Sequence, residues 1–250
     1  MTKYYTRACN FYYGTISRKL LKKNLSLPLC GNKNISFDKV EVFFRNGNKI
    51  SSKIISIKYL NKQNNVIKKK IKKDLQKITA KKKNFENPLI MGILNMTPDS
   101  FSDGGKYTKT KKALAHINLM INSGANIIDI GGESTKPGSK TIEPKKEWKR
   151  INSIVKNFKK KNPKILLSID TRKSEIIKKS IEYNADIIND ISCFSHDKNS
   201  LKEIKKSNST IIIHHMQGTP KTMQIKPKYK NVLLDIYDFF EDQIDNQLKL

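Results

Sequence analysis

The chain has few cysteines and no long apolar run. Its three cysteines, Cys9, Cys30 and Cys193, are odd in number and share no C-x-x-C spacing, so neither a disulfide framework nor a zinc site is indicated. No stretch approaches the roughly 18 consecutive apolar residues that a membrane helix needs. The 250 residues therefore predict a soluble protein of a reducing cytoplasm with no membrane partner, built as one domain with a small appendage.

Arginine is also scarce. Only five of the 50 basic residues are arginine, although the formal net charge is +28. Nucleic-acid surfaces draw on arginine for bidentate contacts to phosphates and bases. The composition therefore predicts a solvated, lysine-rich surface and no nucleic-acid partner, with a non-catalytic basic interaction protein as an alternative. Residues 1–37 contain no Asp or Glu, as in an organellar import signal, so an organelle matrix is the alternative location.

Residues 1–87 carry no motif that indicates chemistry. Two β-branched runs, 40–44 and 54–59, flank the turn residues Asn46, Gly47 and Asn48, which predicts a hairpin. Residues 66–83 are dense in lysine and read as an exposed helix or a linker. We expect a small N-terminal α+β extension of unknown role.

From residue 88 to residue 250, short apolar runs alternate with amphipathic stretches. Such alternation predicts βαβ units with a parallel sheet buried on both faces, as in a (β/α)8 barrel or a doubly wound sheet. The predicted strands are 89–94, 127–130, 165–169, 186–188 and 211–213. The predicted helices are 109–122, 145–159, 174–183, 199–206 and 232–248.

A polar or glycine-rich cluster follows every predicted strand, whereas the helix-to-strand joints are plain. The clusters are 95–105, 131–138, 170–172, 189–190 and 214–220. Because the carboxyl ends of parallel strands meet on one face, this asymmetry predicts an enzyme or a ligand-binding protein.

One cluster, 131–138, suggests an anion site. Gly131 and Gly132 allow backbone amides to approach a ligand, and Ser134, Thr135 and Lys136 supply donors. The alternative is a turn capped by serine and threonine. In the long loop 95–105 the spacing is equally compatible with a functional loop and with a simple turn.

Asp170 and Asn189 follow neighbouring predicted strands. A carboxylate accepts two N–H bonds and an amide both donates and accepts, a pair that suits a 2-amino-4-oxo heterocycle. The alternatives are a helix-capping region for Asp170 and an Asx-turn for Asn189. His214 and His215 are adjacent, so they point to opposite faces and cannot readily share a metal; satisfied or solvent-facing histidines are expected.

Five segments together resemble the dihydropteroate synthase family, a group of pterin-binding TIM barrels. They are 91–105 (MGILNMTPDSFSDGG), 129–138 (DIGGESTKPG), 168–171 (SIDT), 189–191 (NDI) and 215–220 (HMQGTP). The resemblance implies condensation of 6-hydroxymethyl-7,8-dihydropterin pyrophosphate with p-aminobenzoate, assisted by Mg²⁺, to give 7,8-dihydropteroate. A pterin-binding methyltransferase domain is the alternative in the same fold.

The resemblance also implies roles by motif position. Asn95 would contact Mg²⁺ and pyrophosphate, and Asp103 would stabilise the pterin cation. Thr135 and Lys136 would join the pyrophosphate and p-aminobenzoate region. The remaining roles concern the two ring systems: Asp170 and Asn189 holding the pterin, Ile191 and Met216 packing on it, and Phe101 and Pro137 lining the p-aminobenzoate and sulfonamide pocket.

The sequence differs from the family's pattern in two respects. Lys136 stands where the family usually has arginine, so a bidentate contact becomes a point charge. Counterparts of the family's later strands are absent, so we expect an incomplete (β/α)8 barrel with about five βα units. We therefore expect the chain to be a fragment whose activity alone is doubtful, and we expect the full-length protein to be a homodimer.

Overall fold

The computed structural model describes residues 2–81, 88–97, 106–134, 136 and 138–248, with the backbone alone at 106–109 and 248. The chain divides into two compact units, Met1–Pro88 and Leu89–Leu250. Among the described helices, none is long and apolar enough to cross a membrane.

The first unit is a four-stranded antiparallel sheet with helices. The long strand β3 pairs with β1 along one edge and with β2 and β4 along the other. Phe37, Val40, Val42 and Ile55 of the sheet pack with Ile71 of α2 in one buried cluster. The elements are β1 (Lys3–Tyr13), α1 (Gly14–Lys22), β2 (Leu27–Leu29), β3 (Asn32–Asn46), β4 (Lys49–Ser56), a 3-10 helix (Ile57–Lys62) and α2 (Asn65–Thr79).

The expected hairpin is present as β3 and β4, which pair up to Asn46 and Lys49. The lysine-rich stretch forms a helix, α2, which begins after Asn64, whose side chain caps the Ile67 amide. The strand expected at 54–59 is wrong in its second half, because a 3-10 helix starts at Ile57. The import-like N-terminus forms β1 and α1 of the folded unit.

The second unit is a five-stranded parallel sheet in the order β5-β6-β7-β8-β9. A helix follows each strand, which is the arrangement of a partial (β/α)8 barrel and confirms the predicted fold class. The elements are β5 (Met91–Asn95), α3 (Lys106–Asn122), β6 (Ile127–Gly131), α4 (Pro144–Lys161), β7 (Leu166–Asp170), α5 (Ser174–Glu182), β8 (Ile187–Asp190), α6 (Ser200–Ile204), β9 (Thr210–Ile213) and α7 (Val232–Leu248).

Alternation along the strands separates a packing face from a polar face. Ile128, Ile130, Leu167 and Ile169 are fully buried in the cluster that contains the apolar faces of α3, α4 and α5. Burying each such side chain contributes roughly 1.5–3 kcal/mol. Residues at the alternate positions point to the other face of the sheet, where the polar strand ends lie.

Candidate active site

Four strand ends share one row across the parallel sheet. Asn95 is in register with Gly131, Gly131 with Asp170, and Asp170 with Asn189. Residues in register on parallel strands project to the same face. The side chains of Asn95, Asp170 and Asn189 are therefore brought together on one face, at the carboxyl edge of the sheet.

Gly131 leaves space between two of these side chains. A Cβ atom at this position would lie 3.3 Å from Asp170 Oδ2 and 3.5 Å from Asn95 Oδ1. Both oxygens thus approach the same point above the backbone of β6. A glycine here keeps that point open for a ligand.

Gly132, the next residue, has a different reason to be glycine. A Cβ atom there would lie 2.9 Å from Glu147 Cγ and 3.0 Å from Ile151 Cγ2. The N-terminal half of α4 therefore packs directly on the backbone of Gly132. From the sequence we expect a ligand to approach the backbone at both glycines. The structure places helix α4 against Gly132 and leaves only Gly131 beside the polar side chains of Asp170 and Asn95.

A chain of hydrogen bonds connects Asn189 of this row to neighbouring polar side chains. Ser168 Oγ donates to Asp129 Oδ1 at 2.5 Å, and Asn189 Nδ2 donates to Asp129 Oδ2 at 3.1 Å. His214 Nε2 lies 2.7 Å from Asn189 Oδ1. Burial raises the pKa of Asp129, and the donated hydrogen bonds oppose that rise.

A second buried cluster contains two acids and two bases. Lys173 Nζ contacts Glu133 Oε1 at 2.9 Å and also Glu147 Oε2, while Arg172 Nε donates to Glu133 Oε2 at 2.8 Å. Thr171 Oγ1 donates to Glu147 Oε1 at 2.6 Å. Glu147 is 0% exposed and Lys173 5% exposed, so each charge needs the others to offset its lost hydration.

This cluster holds both ends of the loop that carries Lys136. Glu133 stands at the start of the loop, and the Ile142 amide at its end donates to Glu133 Oε1 at 2.8 Å. Arg172 also donates to Thr141 Oγ1 at 2.8 Å. Burial works to raise the pKa of Glu133, but the hydrogen bonds from Arg172, Ile142 and Lys173 hold it below its usual value.

Asp170 is the carboxyl that lacks such compensation. Among the residues that the structure describes, none donates a hydrogen bond to its side chain. Burial, followed by the nearby carboxylates of Asp129, Glu147, Asp190 and Glu133, raises the pKa of Asp170 to about 8. A perturbed carboxyl in a row of strand-end polar groups is the pattern of a ligand site.

The other predicted site residues are placed as follows. Lys136 is exposed in the loop after β6, and its amide approaches Ser134 Oγ at 3.4 Å. Ile191 directly follows β8 and Met216 lies three residues after β9, both partly buried at the same edge of the sheet. Four predicted residues lie outside the described part of the chain: Phe101, Asp103, Thr135 and Pro137.

The two neighbouring histidines have separate environments. His214 hydrogen-bonds Asn189, and His215 packs among the rings of Tyr229, Phe239 and Phe240. Within the described residues, no group of three or more His, Cys, Asp and Glu side chains is placed to hold a metal ion.

Comparison with known proteins assigns the second unit to a family. A family model described as "Pterin binding enzyme" matches residues 91–249. This chain is a member of the pterin-binding enzyme family.

The similar individual proteins are named dihydropteroate synthase. The chain is 42% identical over 160 residues to "Dihydropteroate synthase" of Escherichia coli strain K12, covering 64% of this chain and 56% of that relative. The chain therefore spans little more than half the length of this relative.

Solved structures show the same partial coverage. A Yersinia pestis dihydropteroate synthase with a sulfonamide drug matches with a TM-score of 0.60 and 39% identity, over 65% of this chain and 58% of that one. A Burkholderia cenocepacia dihydropteroate synthase complexed with 7,8-dihydropteroate matches with a TM-score of 0.57 and 35% identity, over 66% and 55%.

Proposed function

We propose that the protein acts in dihydropteroate synthesis. In this reaction the C–O bond between the pterin methylene and pyrophosphate breaks, and its electron pair leaves with pyrophosphate. The aniline nitrogen of p-aminobenzoate forms the new C–N bond and releases a proton. The observation that carries the proposal is the shared row of Asn95, Gly131, Asp170 and Asn189 at the strand ends.

The pterin end of the substrate fits Asp170 and Asn189. Asp170, which is mostly protonated at neutral pH because its pKa is about 8, would release its proton on binding and, as a carboxylate, accept two N–H groups of the 2-amino-4-oxo ring. Asn189 would offer one donor and one acceptor. An Asp170 carboxyl without an internal partner among the described residues is available for this role. We propose that Ile191 and Met216 pack on the ring faces. The similar Burkholderia cenocepacia protein is complexed with 7,8-dihydropteroate, the product of this reaction.

The pyrophosphate end fits Asn95, Thr135 and Lys136. Asn95 is exposed at the end of β5, with its amide oxygen directed above Gly131. Mg²⁺ is commonly bound by one or two protein oxygens together with substrate phosphates, so Asn95 is a suitable ligand. When bound, Mg²⁺ supplies positive charge to the departing pyrophosphate. Lys136, in the loop held by Glu133, would place its ammonium beside the same oxygens.

Further roles complete the proposal. Asp103 would stabilise the developing pterin cation, and Phe101 and Pro137 would line the p-aminobenzoate pocket. The similar Yersinia pestis protein is complexed with a sulfonamide drug. We also propose a cytoplasmic location and a homodimer for the whole protein, with no nucleic-acid partner.

Binding is the first test of this function. The 250-residue chain would be titrated calorimetrically with 6-hydroxymethyl-7,8-dihydropterin pyrophosphate and Mg²⁺, then supplied with p-aminobenzoate while dihydropteroate and pyrophosphate are quantified. Asp170→Ala should weaken pterin binding about tenfold or more, because a charged hydrogen-bonding pair contributes about 1.5–3 kcal/mol. Asn95→Ala should weaken only the Mg²⁺-dependent part.

The exposed Glu182→Ala serves as the matched control. Unchanged binding in both Asp170→Ala and Asn95→Ala would contradict the proposed site. Pterin binding with methyl transfer and no use of p-aminobenzoate would favour the methyltransferase alternative. Salt-dependent RNA binding without pterin binding would favour the basic interaction protein.

A further inference from the structure

His214 occupies a position that the reaction as proposed leaves unused. It follows β9 directly, and its Nε2 lies 2.7 Å from Asn189 Oδ1. The four residues Ser168, Asp129, Asn189 and His214 form a continuous chain of hydrogen bonds across β7, β6, β8 and the end of β9.

The chain of contacts fixes the chemical state of its members. The two Asp129 oxygens accept hydrogen bonds from Ser168 and from the NH₂ group of Asn189, so the amide oxygen of Asn189 faces His214. That oxygen only accepts, so Nε2 of His214 must carry the proton. Turning the amide over would place its oxygen against the Asp129 carboxylate.

Exposure increases from one end of this chain to the other. Ser168 is 0%, Asp129 4% and Asn189 9% exposed, whereas the His214 ring is exposed. His214 is therefore the solvent-side end of an otherwise buried polar chain. Asp129 contacts the buried side of the Asn189 amide, and the His214 hydrogen bond contacts its solvent-facing side.

We propose that His214 is a positioning residue of the pterin pocket, whose Nε2–H group fixes the orientation of the Asn189 amide. This role rests on the proposed function of the site. With one Nδ2 hydrogen committed to Asp129 and one Oδ1 lone pair committed to His214, Asn189 retains one donor and one acceptor. One donor and one acceptor suit the edge of a 2-amino-4-oxo ring, and the orientation of the amide is set before the ligand arrives.

Preorganisation of one polar side chain has a measurable effect on affinity. Ordering a side chain on binding costs about 0.5–1.5 kcal/mol, so losing its prior order weakens binding about three- to tenfold. The effect should fall on the pterin ring itself. We therefore choose 6-hydroxymethylpterin, which lacks the pyrophosphate, as the ligand.

Two substitutions separate positioning from packing. In His214→Gln the side-chain NH₂ can still donate to Asn189 Oδ1, whereas His214→Leu fills similar space without a donor. We expect the leucine variant to bind 6-hydroxymethylpterin about three- to tenfold more weakly than wild type, with the glutamine variant much closer to wild type. The exposed His116→Gln and His116→Leu on α3 are the controls and should match wild type.

The ring proton supplies a readout that is independent of binding. ¹⁵N-labelled histidine spectra at about pH 8, assigned by loss of signals in His214→Gln, should show the Nε2–H tautomer for His214. The Nδ1–H tautomer would overturn the inference, since Asn189 would then present its NH₂ group to His214.

The binding results distinguish failure of the His214 role from failure of the proposed function. If wild type binds 6-hydroxymethylpterin and the glutamine and leucine variants bind it equally, the positioning role alone is overturned. If wild type binds no pterin, the proposed function fails and this role fails with it.

Discussion

The two units of the chain differ in the number of their charged side chains and in how deeply these are buried. Residues 1–88 contain 22 basic and 4 acidic residues, whereas residues 89–250 contain 28 and 18. In the first unit the charge is mostly exposed, as in the pair of Arg7 and Glu41, whose arginine side chain is 54% exposed. In the second unit opposite charges are buried and paired at the carboxyl edge of the sheet. Placement of charge therefore indicates the functional unit better than net charge does.

The largest effect is expected when one paired basic side chain is removed from each unit and the losses of stability are compared. Lys173→Met would leave Glu133 and Glu147 buried without their ammonium partner, which should cost about 3–5 kcal/mol of unfolding free energy. Arg7→Met breaks an exposed pair and should cost less than about 1 kcal/mol. Urea unfolding of the two variants measures the difference.

The exposed Lys178→Met, five residues beyond Lys173, is the control for loss of a lysine and should match wild type. Equal destabilisation by Lys173→Met and Arg7→Met would show that burial of the cluster does not set its energetic importance.

Adjacent glycines offer a second test, within the second unit. Gly132→Ala places a methyl group 2.9 Å from Glu147 Cγ and should destabilise by about 1–3 kcal/mol, because the packed helix must shift. Gly131→Ala meets Asp170 and Asn95 at 3.3 and 3.5 Å and should instead impair pterin binding with a smaller loss of stability. Thermal unfolding and pterin titration of both variants would separate the two roles; the reverse pattern would contradict them.

Asp170 provides a third test, through pH. Its folded-state pKa of about 8 exceeds the value of about 4 expected when unfolded, so the folded state binds the extra proton between these pH values. Stability contributed by this group therefore falls as pH rises through that window. Asp170→Asn should remove the fall, raising the midpoint of thermal unfolding at about pH 8.5 by about 2–4 °C for each 1 kcal/mol.

The same substitution should weaken pterin binding about tenfold or more, because one of the two accepting carboxylate oxygens is replaced by an NH₂ donor. Glu182→Asn, at an exposed carboxyl, is the control and should change neither property. An Asp170→Asn chain that loses stability at high pH would contradict the assigned cost of burying this carboxylate.

Much of the second unit was predictable because buried parallel strands read as short apolar runs. The five predicted strands agree with β5 to β9 within about two residues, and the polar clusters that follow them do lie at one edge. In the first unit, β1, α1 and β2 were not predicted. The pairing of β1 with β3 joins residues more than 20 positions apart, which local patterns do not reveal.

The buried polar groups of the site were only partly predictable. Asp129 interrupts the apolar run 127–130, and an acid inside a buried strand is itself a signal of a paired or functional carboxyl. Glu133, Glu147 and Lys173 gave no comparable signal. Their pairing spans 26 to 40 residues and depends on how the loops after β6 and β7 meet α4.

The smallest expected effect concerns Lys136, which replaces the arginine usual at its motif position. A lysine offers a point charge, whereas a guanidinium binds two oxygens in a fixed geometry. Lys136→Arg should therefore strengthen binding of Mg²⁺-pyrophosphate about two- to fivefold, with little change for 6-hydroxymethylpterin. The exposed Lys140→Arg, four residues along the same loop, is the control and should leave both affinities unchanged. Calorimetric titration of each variant decides the matter: an equal gain in both would indicate a general effect of surface charge, and no gain in Lys136→Arg would remove Lys136 from the pyrophosphate site.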